Sequence, residues 1–331
     1  MSANGAAMHW LGTRGAELHR PECVLATRDG QLLVPDARGG VTVIGSATQH
    51  SVMPAMPDGV APLHPNSIAL CRDGSLLLAE MGEHRGGVWR LQASGAVEPW
   101  LESIEGQPLP PTNFVLVDAD ERVWITVSTR AIPRWSARRR GVGDGFLVCV
   151  DRRGARIVAD GFGFTNEVRI GPRGDELIVV ETFDRRLTKF TINADGSLGA
   201  RSLLCEFGPG VWPDGIAYDV EGRLLVASAF SNRLLEVDRK GRVRVLLDLG
   251  DPVFVDKLEG RFERGELIAP GPVEVPLSPL GNCTSVAYAG DALDRIVVGC
   301  LDGDRLAVLQ AEVPGVPPAH WHFSFGRPSC S

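Results

Sequence analysis

Six polar side chains recur at one phase of a repeated sequence unit: Glu22, Asn66, Asn113, Asn166, Asp214 and Thr284. Each opens an apolar run, and successive members lie 44, 47, 53, 48 and 70 residues apart. All six carry a side-chain oxygen, and two are carboxylates. Carboxylate plus amide oxygen is the ligand set of a hard divalent cation such as Ca²⁺, Mg²⁺ or Mn²⁺. Two carboxylates balance the dication, and neutral amides complete the shell without adding charge. Crowded together without a cation, the same carboxylates would repel one another and shift their pKa values upward. Asn and Asp are also ordinary turn formers, so any one of these positions alone reads as a turn. The recurrence in phase with the repeat is what points to a site.

The unit around each anchor reads as a hairpin. Examples are PNSIALCRDGSLLLAE from Pro65 and PDGIAYDVEGRLLVAS from Pro213, and six copies can be aligned. The first run alternates, the turn carries Asp-Gly, Glu-Gly or Gly-Asp, and the second run is apolar on both faces, as in a buried strand. A third strand follows in most units (GGVTVI, GGVWRL, DGFLVCV, LTKFTI, RLLEVD, RLAVL), and a fourth is readable in some. A four-stranded propeller blade takes roughly 40–50 residues. The prediction is therefore an all-β fold: a six-bladed β-propeller of four-stranded blades around a central channel, one domain over residues 1–331. An inserted loop at about 252–282 accounts for the longest spacing. No stretch shows sustained helical periodicity. Ring closure is expected to add a strand near Met8–Thr13 to the last blade, with His320–Phe325 as an alternative partner. In such a ring the inner strands stand side by side, so the six anchors become neighbours at one mouth of the channel.

Composition narrows the function classes. With 34 basic and 41 acidic residues the formal charge is −7, which disfavours general binding to nucleic acid or to an anionic membrane. No apolar run is long enough for a membrane span, and Met1–Leu18 lacks the pattern of a secretory leader. Seven scattered cysteines without a CxxC pair disfavour a disulfide framework or thiolate zinc site and fit a reducing, cytoplasmic setting. Serine-hydrolase, zincin and P-loop motifs are absent from the sequence. His320 and His322 read as packing residues, Glu80 and Glu181 as mouth or turn residues, and Arg134 with Arg138–Arg140 as a solvated basic loop. A lid that attracts a carboxylate-bearing substrate is the other reading of that loop.

At FTNEVRIGPRGDELIVVET, WPDGIAYDVEGRLLVAS and PTNFVLVDADERVWITVSTR the chain resembles the family of senescence marker protein, gluconolactonase and luciferin-regenerating enzyme. The resemblance spans nearly the whole chain. It implies one divalent cation in the channel mouth (Ca, Mg, Mn, Zn or Fe) and, in most members, lactone hydrolysis. Carried onto this sequence, it makes Glu22, Asn166 and Asp214 the metal ligands. Asp214 would also be the general base, with Asn113 contacting the substrate or completing the metal shell. Activity would be cation-activated attack of water on a lactone carbonyl.

Several positions depart from the family pattern. Glu22 is followed by Cys23-Val24-Leu25 where the family has Gly-Pro and an aromatic; Pro111 and Phe114 stand where sugar-lactone members have Arg and Asp; Glu167 replaces a Gly. With Phe162, Phe164, Val211 and Trp212 near the anchors, the expected substrate is a small hydrophobic, non-sugar lactone or ester. Asn66, Asn113, Phe114, Phe164 and Trp212 are the candidate substrate contacts. The alternatives are a lyase or condensing enzyme on the same scaffold, of the strictosidine synthase-like kind, and a propeller binding module. No nucleic-acid or membrane partner is expected, and the chain would act as a monomer or weak homo-oligomer.

Overall fold

The structure is a computed structural model that describes residues 8–56, 58–83 and 85–328. Cys330, one of the cysteines read above, lies outside the described residues; the six described cysteines are unpaired. Six four-stranded antiparallel sheets form, each in the sequence order of its hairpins, and together they make the six-bladed propeller. The inner strands are Leu25–Ala26, Pro65–Leu70, Thr112–Val117, Thr165–Ile170, Pro213–Tyr218 and Cys283–Ala289. The second strands Leu32–Asp36, Leu76–Glu80, Val123–Val127 and Leu224–Ser228 are buried along their whole length, as their two-sided apolar pattern requires.

Every first hairpin turns through a residue of positive φ at one equivalent place. Glycine fills it at Gly30, Gly74, Gly174 and Gly222, while Glu121 and Leu293 take the same conformation in the third and last blades. The ring closes where the sequence places the closure. Trp10–Arg14 pairs antiparallel with Leu306–Gln310, matching Trp10 to Leu309 and Arg14 to Leu306. The last blade thus takes its outermost strand from the start of the chain and its other three from the end, so no blade edge is left to gape. His320–Phe325 is not a strand of that blade. It belongs to a tail that crosses the face of the ring opposite the anchors.

The insertion differs from its sequence reading as a loop. Pro252–Glu263 forms a helix, α1, capped by Asp251, whose carboxylate accepts from the Phe254 amide at 2.9 Å, with Pro252 at the first helical position. Val255, Leu258 and Phe262 make its buried face. Three apolar contacts over twelve residues are too few to stand out as a period in the sequence, and tertiary packing stabilises the helix. Among the described residues no helix is long and apolar enough to cross a membrane.

Adjacent blades approach closely where the anchors sit. A Cβ on Gly299, in the second strand of the last blade, would stand 2.6 Å from the Glu22 carbonyl oxygen and 2.9 Å from that of Pro21. Gly299→Ala therefore wedges the first blade from the last. The expected loss is about 1–3 kcal/mol of stability, read as a lower denaturant midpoint; an unchanged midpoint would show that the seam is not close-packed.

Candidate active site at the anchor mouth

Each anchor of blades two to six lies at a β-bulge. The inner strand carries one extra residue at Pro65/Ser67, Thr112/Phe114, Thr165/Val168, Pro213/Ile216 and Cys283/Ser285. Asn66, Asn113, Asn166, Asp214 and Thr284 fall inside these irregularities. A bulge frees its residue from the ladder and re-aims the side chain. Five blades therefore direct a polar group at one mouth, and Glu22, three residues before its own strand, supplies the sixth.

The anchors bond to one another across blade boundaries. Thr284 donates to the Glu22 carbonyl oxygen at 3.0 Å. The Asn66 amide nitrogen is 3.0 Å from Glu22 Oε1 and 2.6 Å from Asn113 Oδ1. Asn113 Nδ2 donates to Asn166 Oδ1 at 2.8 Å, and Asn166 Nδ2 to Thr182 Oγ1 at 3.0 Å. Thr182 then donates to the Pro213 carbonyl oxygen at 2.9 Å. The belt passes from blade six to blade five through five interfaces. Asn66 donates to both neighbouring blades, Asn113 to the next and Asn166 to Thr182 of its own, while the amide oxygens of Asn113 and Asn166 accept from the preceding anchor.

Asp214 stands apart. It is buried, with 7% of its surface exposed, yet its carboxylate receives no hydrogen bond among the described residues. Burial raises its pKa well above the ordinary value, and the charges of Glu22 and Glu167 add to the rise; Arg134 and Arg20 pull the other way. Glu167 is a third carboxylate that sequence reasoning noted only as a departure. It is buried beside the ring, held by Arg169 at 2.8 Å, and its pKa is raised chiefly by burial. Its signal was available: a charged residue next to an anchor, where an inner strand should present a small one.

Two arginines complete the electrostatics: Arg20, which the sequence reading did not single out, and Arg134, from the loop read as solvated or as a lid over a carboxylate-bearing substrate. Arg20 Nη2 lies 2.5 Å from Glu22 Oε2, and Nη1 donates to Asn66 Oδ1 at 3.1 Å. Arg134 leaves the basic loop, folds inward over the Phe164 ring with its guanidinium carbon 4.5 Å from the centroid, and donates to Ser128 Oγ at 3.0 Å. Its Nε is buried without a partner among the described residues. Burial lowers its pKa to about 10, and the charges of Glu22 and Asp214 work against that fall. The loop is thus solvated at Arg139 and Arg140 only, while Arg134 faces the site.

Not every candidate contact faces the mouth. Phe164 does, under Arg134. Phe114 follows the bulge at Asn113, and the extra residue flips the alternation. Its ring packs on Arg169, 4.9 Å from the guanidinium carbon, and lines the channel below the ring of anchors. Trp212 is wholly buried beneath α1 and meets no open space at the mouth. Glu80 and Glu181 are committed elsewhere: Glu80 accepts from the His64 amide at 2.7 Å, and Glu181 is gripped by Arg186 at 2.8 and 2.7 Å.

The set suits a hard cation by its chemistry: two carboxylates and an amide oxygen, one carboxylate lacking any protein hydrogen bond. Among the described residues no group of three or more His, Cys, Asp or Glu side chains is placed to hold a metal ion; Glu22 is paired with Arg20, and Asn166 Oδ1 accepts from Asn113.

The SMP-30/gluconolactonase/LRE-like family model matches residues 20–253. The chain belongs to that family. The match takes in Glu22, Asn66, Asn113, Asn166 and Asp214 and ends as α1 begins. Among solved structures, a gluconolactonase from Xanthomonas campestris is 17% identical with a TM-score of 0.66, over 95% of this chain and 94% of that one. A calcium-binding regucalcin from Agrobacterium tumefaciens is 17% identical with a TM-score of 0.64, over 93% and 96%. A virginiamycin B lyase from Staphylococcus aureus is 12% identical with a TM-score of 0.52, over 87% and 80%. These likenesses share the propeller fold. No curated protein sequence matches the chain.

Above the mouth this family member carries a cap. Arg185 is fully buried between Trp212 and Phe262, at 4.6 and 4.3 Å from their centroids, and is clamped by Glu259 of α1 at 2.9 and 2.7 Å. Arg138 ties the basic loop to the Gly271 carbonyl oxygen at 2.8 Å. Glu259→Gln leaves Arg185 buried without its counter-charge and should cost about 3–5 kcal/mol. The ion pair holds the Glu259 pKa below its ordinary 4.5. Its contribution is therefore full above that value and fades as pH falls through the lowered one. Unfolding midpoints of wild type and variant should converge on acidification; a gap that persists in acid would contradict the assignment.

Proposed function

We propose that the anchor mouth hydrolyses a lactone or ester bond with the help of one divalent cation, and that its substrate is small, apolar and not a sugar. The observation that carries this reading is Asp214: a buried carboxylate that accepts no hydrogen bond among the described residues, near Glu22 and Glu167 and next to a belt of bonded amides. Family membership supports lactone chemistry, and the choice of an apolar substrate rests on Phe164 at the mouth and on Pro111 and Phe114 standing where sugar-lactone members carry Arg and Asp. Glu22, Asn166 and Asp214 would hold the cation, which when bound supplies Lewis acidity at the substrate carbonyl.

The protein's own groups have distinct tasks. Asp214 takes the proton from water as the water oxygen bonds to the carbonyl carbon. Asn113 orients rather than donates, because its amide donors are already engaged by Asn166 Oδ1 and the Thr165 carbonyl oxygen at 2.8 and 3.3 Å. Its amide nitrogen is thus not free to donate to a substrate, which narrows the reading of Asn113 as a substrate contact or a member of the metal shell. Arg134 lies over the Phe164 ring, where its guanidinium charge would stabilise negative charge on the carbonyl oxygen and then on the product carboxylate. Phe164 walls the mouth beneath it and excludes water.

Asp214→Asn should lower kcat/KM for the best substrate of an aliphatic and aromatic lactone panel by roughly 10²–10⁴-fold, with the fold retained by circular dichroism. Full activity in that variant would overturn the reading. EDTA should abolish turnover, and Ca²⁺, Mg²⁺ or Mn²⁺ should restore it. Arg134→Leu should reduce kcat by roughly 10²–10³-fold while KM changes little; a pure KM effect would instead make Arg134 a ground-state contact.

A further inference from the structure

The two anchor carboxylates are met differently by their surroundings. Asp214 accepts no hydrogen bond among the described residues, whereas both oxygens of Glu22 are taken. Oε1 accepts from the Asn66 amide nitrogen at 3.0 Å, and Oε2 lies 2.5 Å from Arg20 Nη2. Arg20 Nη1 donates in turn to Asn66 Oδ1 at 3.1 Å. The three side chains close a triangle, with the guanidinium fork on the carboxylate and the amide at once. Oε2 is buried, and the guanidinium is its one partner among the described residues.

The backbone under this triangle is pinned, and the Arg20 side chain is not. The His19 carbonyl oxygen accepts from the Ala37 amide at 2.9 Å, and that of Pro21 from the Cys300 amide at 2.9 Å. The Glu22 carbonyl oxygen accepts from Thr284 at 3.0 Å. Between these points the Glu22 amide donates to the Arg20 carbonyl oxygen at 2.8 Å, a tight turn in which Arg20 has φ 52°. A side-chain-bearing residue adopts that left-handed conformation at a cost. The turn sets Arg20 beside Glu22, two residues on. The Arg20 side chain is 33% exposed and that of Glu22 only 10%. Arg20 can therefore swing to water by side-chain rotation alone, while the Glu22 carboxylate stays in place.

A guanidinium and a dication do not share one carboxylate oxygen cheaply. Ca–O contacts run about 2.3–2.6 Å, so a cation on Oε2 would stand within about 5 Å of Arg20 Nη2. Like charges at that range repel strongly away from bulk water. On the reading of Glu22 as a cation ligand, on which this inference rests, we propose that Arg20 is a latch. Its guanidinium competes with the cation for Glu22 Oε2 and swings toward solvent when the cation binds, so that Arg20 sets the cation concentration at which the mouth fills. Glu22 has a counter-charge in either state, and Asn66 holds Oε1 throughout.

The test is a calorimetric titration of the full chain with Ca²⁺ and, separately, with Mg²⁺. Arg20→Gln should bind the cation roughly tenfold or more tightly than wild type. Arg139→Gln, on the solvated part of the basic loop, should change the affinity by less than about twofold. Binding to Arg20→Gln alone would be the latch at its strongest. Equal affinity in wild type and Arg20→Gln, or an equal gain in Arg139→Gln, would overturn the latch and leave the cation site standing. No binding of either cation to wild type or Arg20→Gln would overturn the cation reading and the latch with it. Wild-type protein supplies a second readout should Arg20→Gln fail to fold. Held at two points, the Arg20 guanidinium should give separate Nη1 and Nη2 resonances in the ¹⁵N-labelled chain, identified by their loss in Arg20→Lys. Saturation with the tighter-binding cation should merge them as the guanidinium rotates freely. Resonances merged before the cation is added, or still separate at saturation, would overturn the latch.

Discussion

One extra residue near the start of an inner strand governs this molecule. Without the bulges, Asn66, Asn113, Asn166, Asp214 and Thr284 would sit in regular ladders, their side chains alternating between channel and blade interior. With the bulges, each is released from the ladder, and ring closure brings these five irregularities and Glu22 together at one polar mouth. The belt in turn ties neighbouring blades through side chains, so the geometry of the mouth and the closure of the ring stabilise each other. Thr284 and Glu22 are 262 residues apart in sequence and 3.0 Å apart in space.

The belt leaves charge in an awkward place. Glu22, Glu167 and Asp214 are all buried near one another. Arg20 and Arg169 answer the first two directly, while Arg134 reaches toward the mouth from above. Asp214 is the member for which the protein supplies no hydrogen bond, and a fully satisfied structural network would not leave it so. The cap explains how Arg134 is held in this position. Loop 134–140 is tied to the insertion, the insertion is fixed by the Arg185–Glu259 pair, and Arg185 is sandwiched by aromatic rings. An insertion that in sequence interrupts the repeat thus becomes the scaffold of the mouth.

The two ends of the channel differ in kind. The anchor end is charged, belted and capped by loops of the middle blades. The far end is largely apolar and floored by the tail residues Val316–His320. Phe114 and Arg169 lie between them, one turned downward by the Asn113 bulge and the other paired with Glu167 beside the ring.

Local periodicity and turn chemistry are written in short stretches of sequence, and these were legible. The hairpins, the six-fold repeat, the closing strand near Met8–Thr13 and the six anchors all follow from alternation, Gly-containing turns and spacing. The direction of side chains after a bulge is not local in that sense: one extra residue inverts everything downstream, which is why Phe114 left the mouth. Helix α1 was hidden because its three buried contacts gain meaning only against Phe183 and Trp212 of other blades. In sequence Arg20 carries no signal, Arg134 reads as part of a solvated loop or lid, Glu167 as a departure beside an anchor, and His320 as a packing residue. Only ring closure, by placing segments tens to hundreds of residues apart within a few ångströms, decided which of their charges and lone pairs would be answered and which left open.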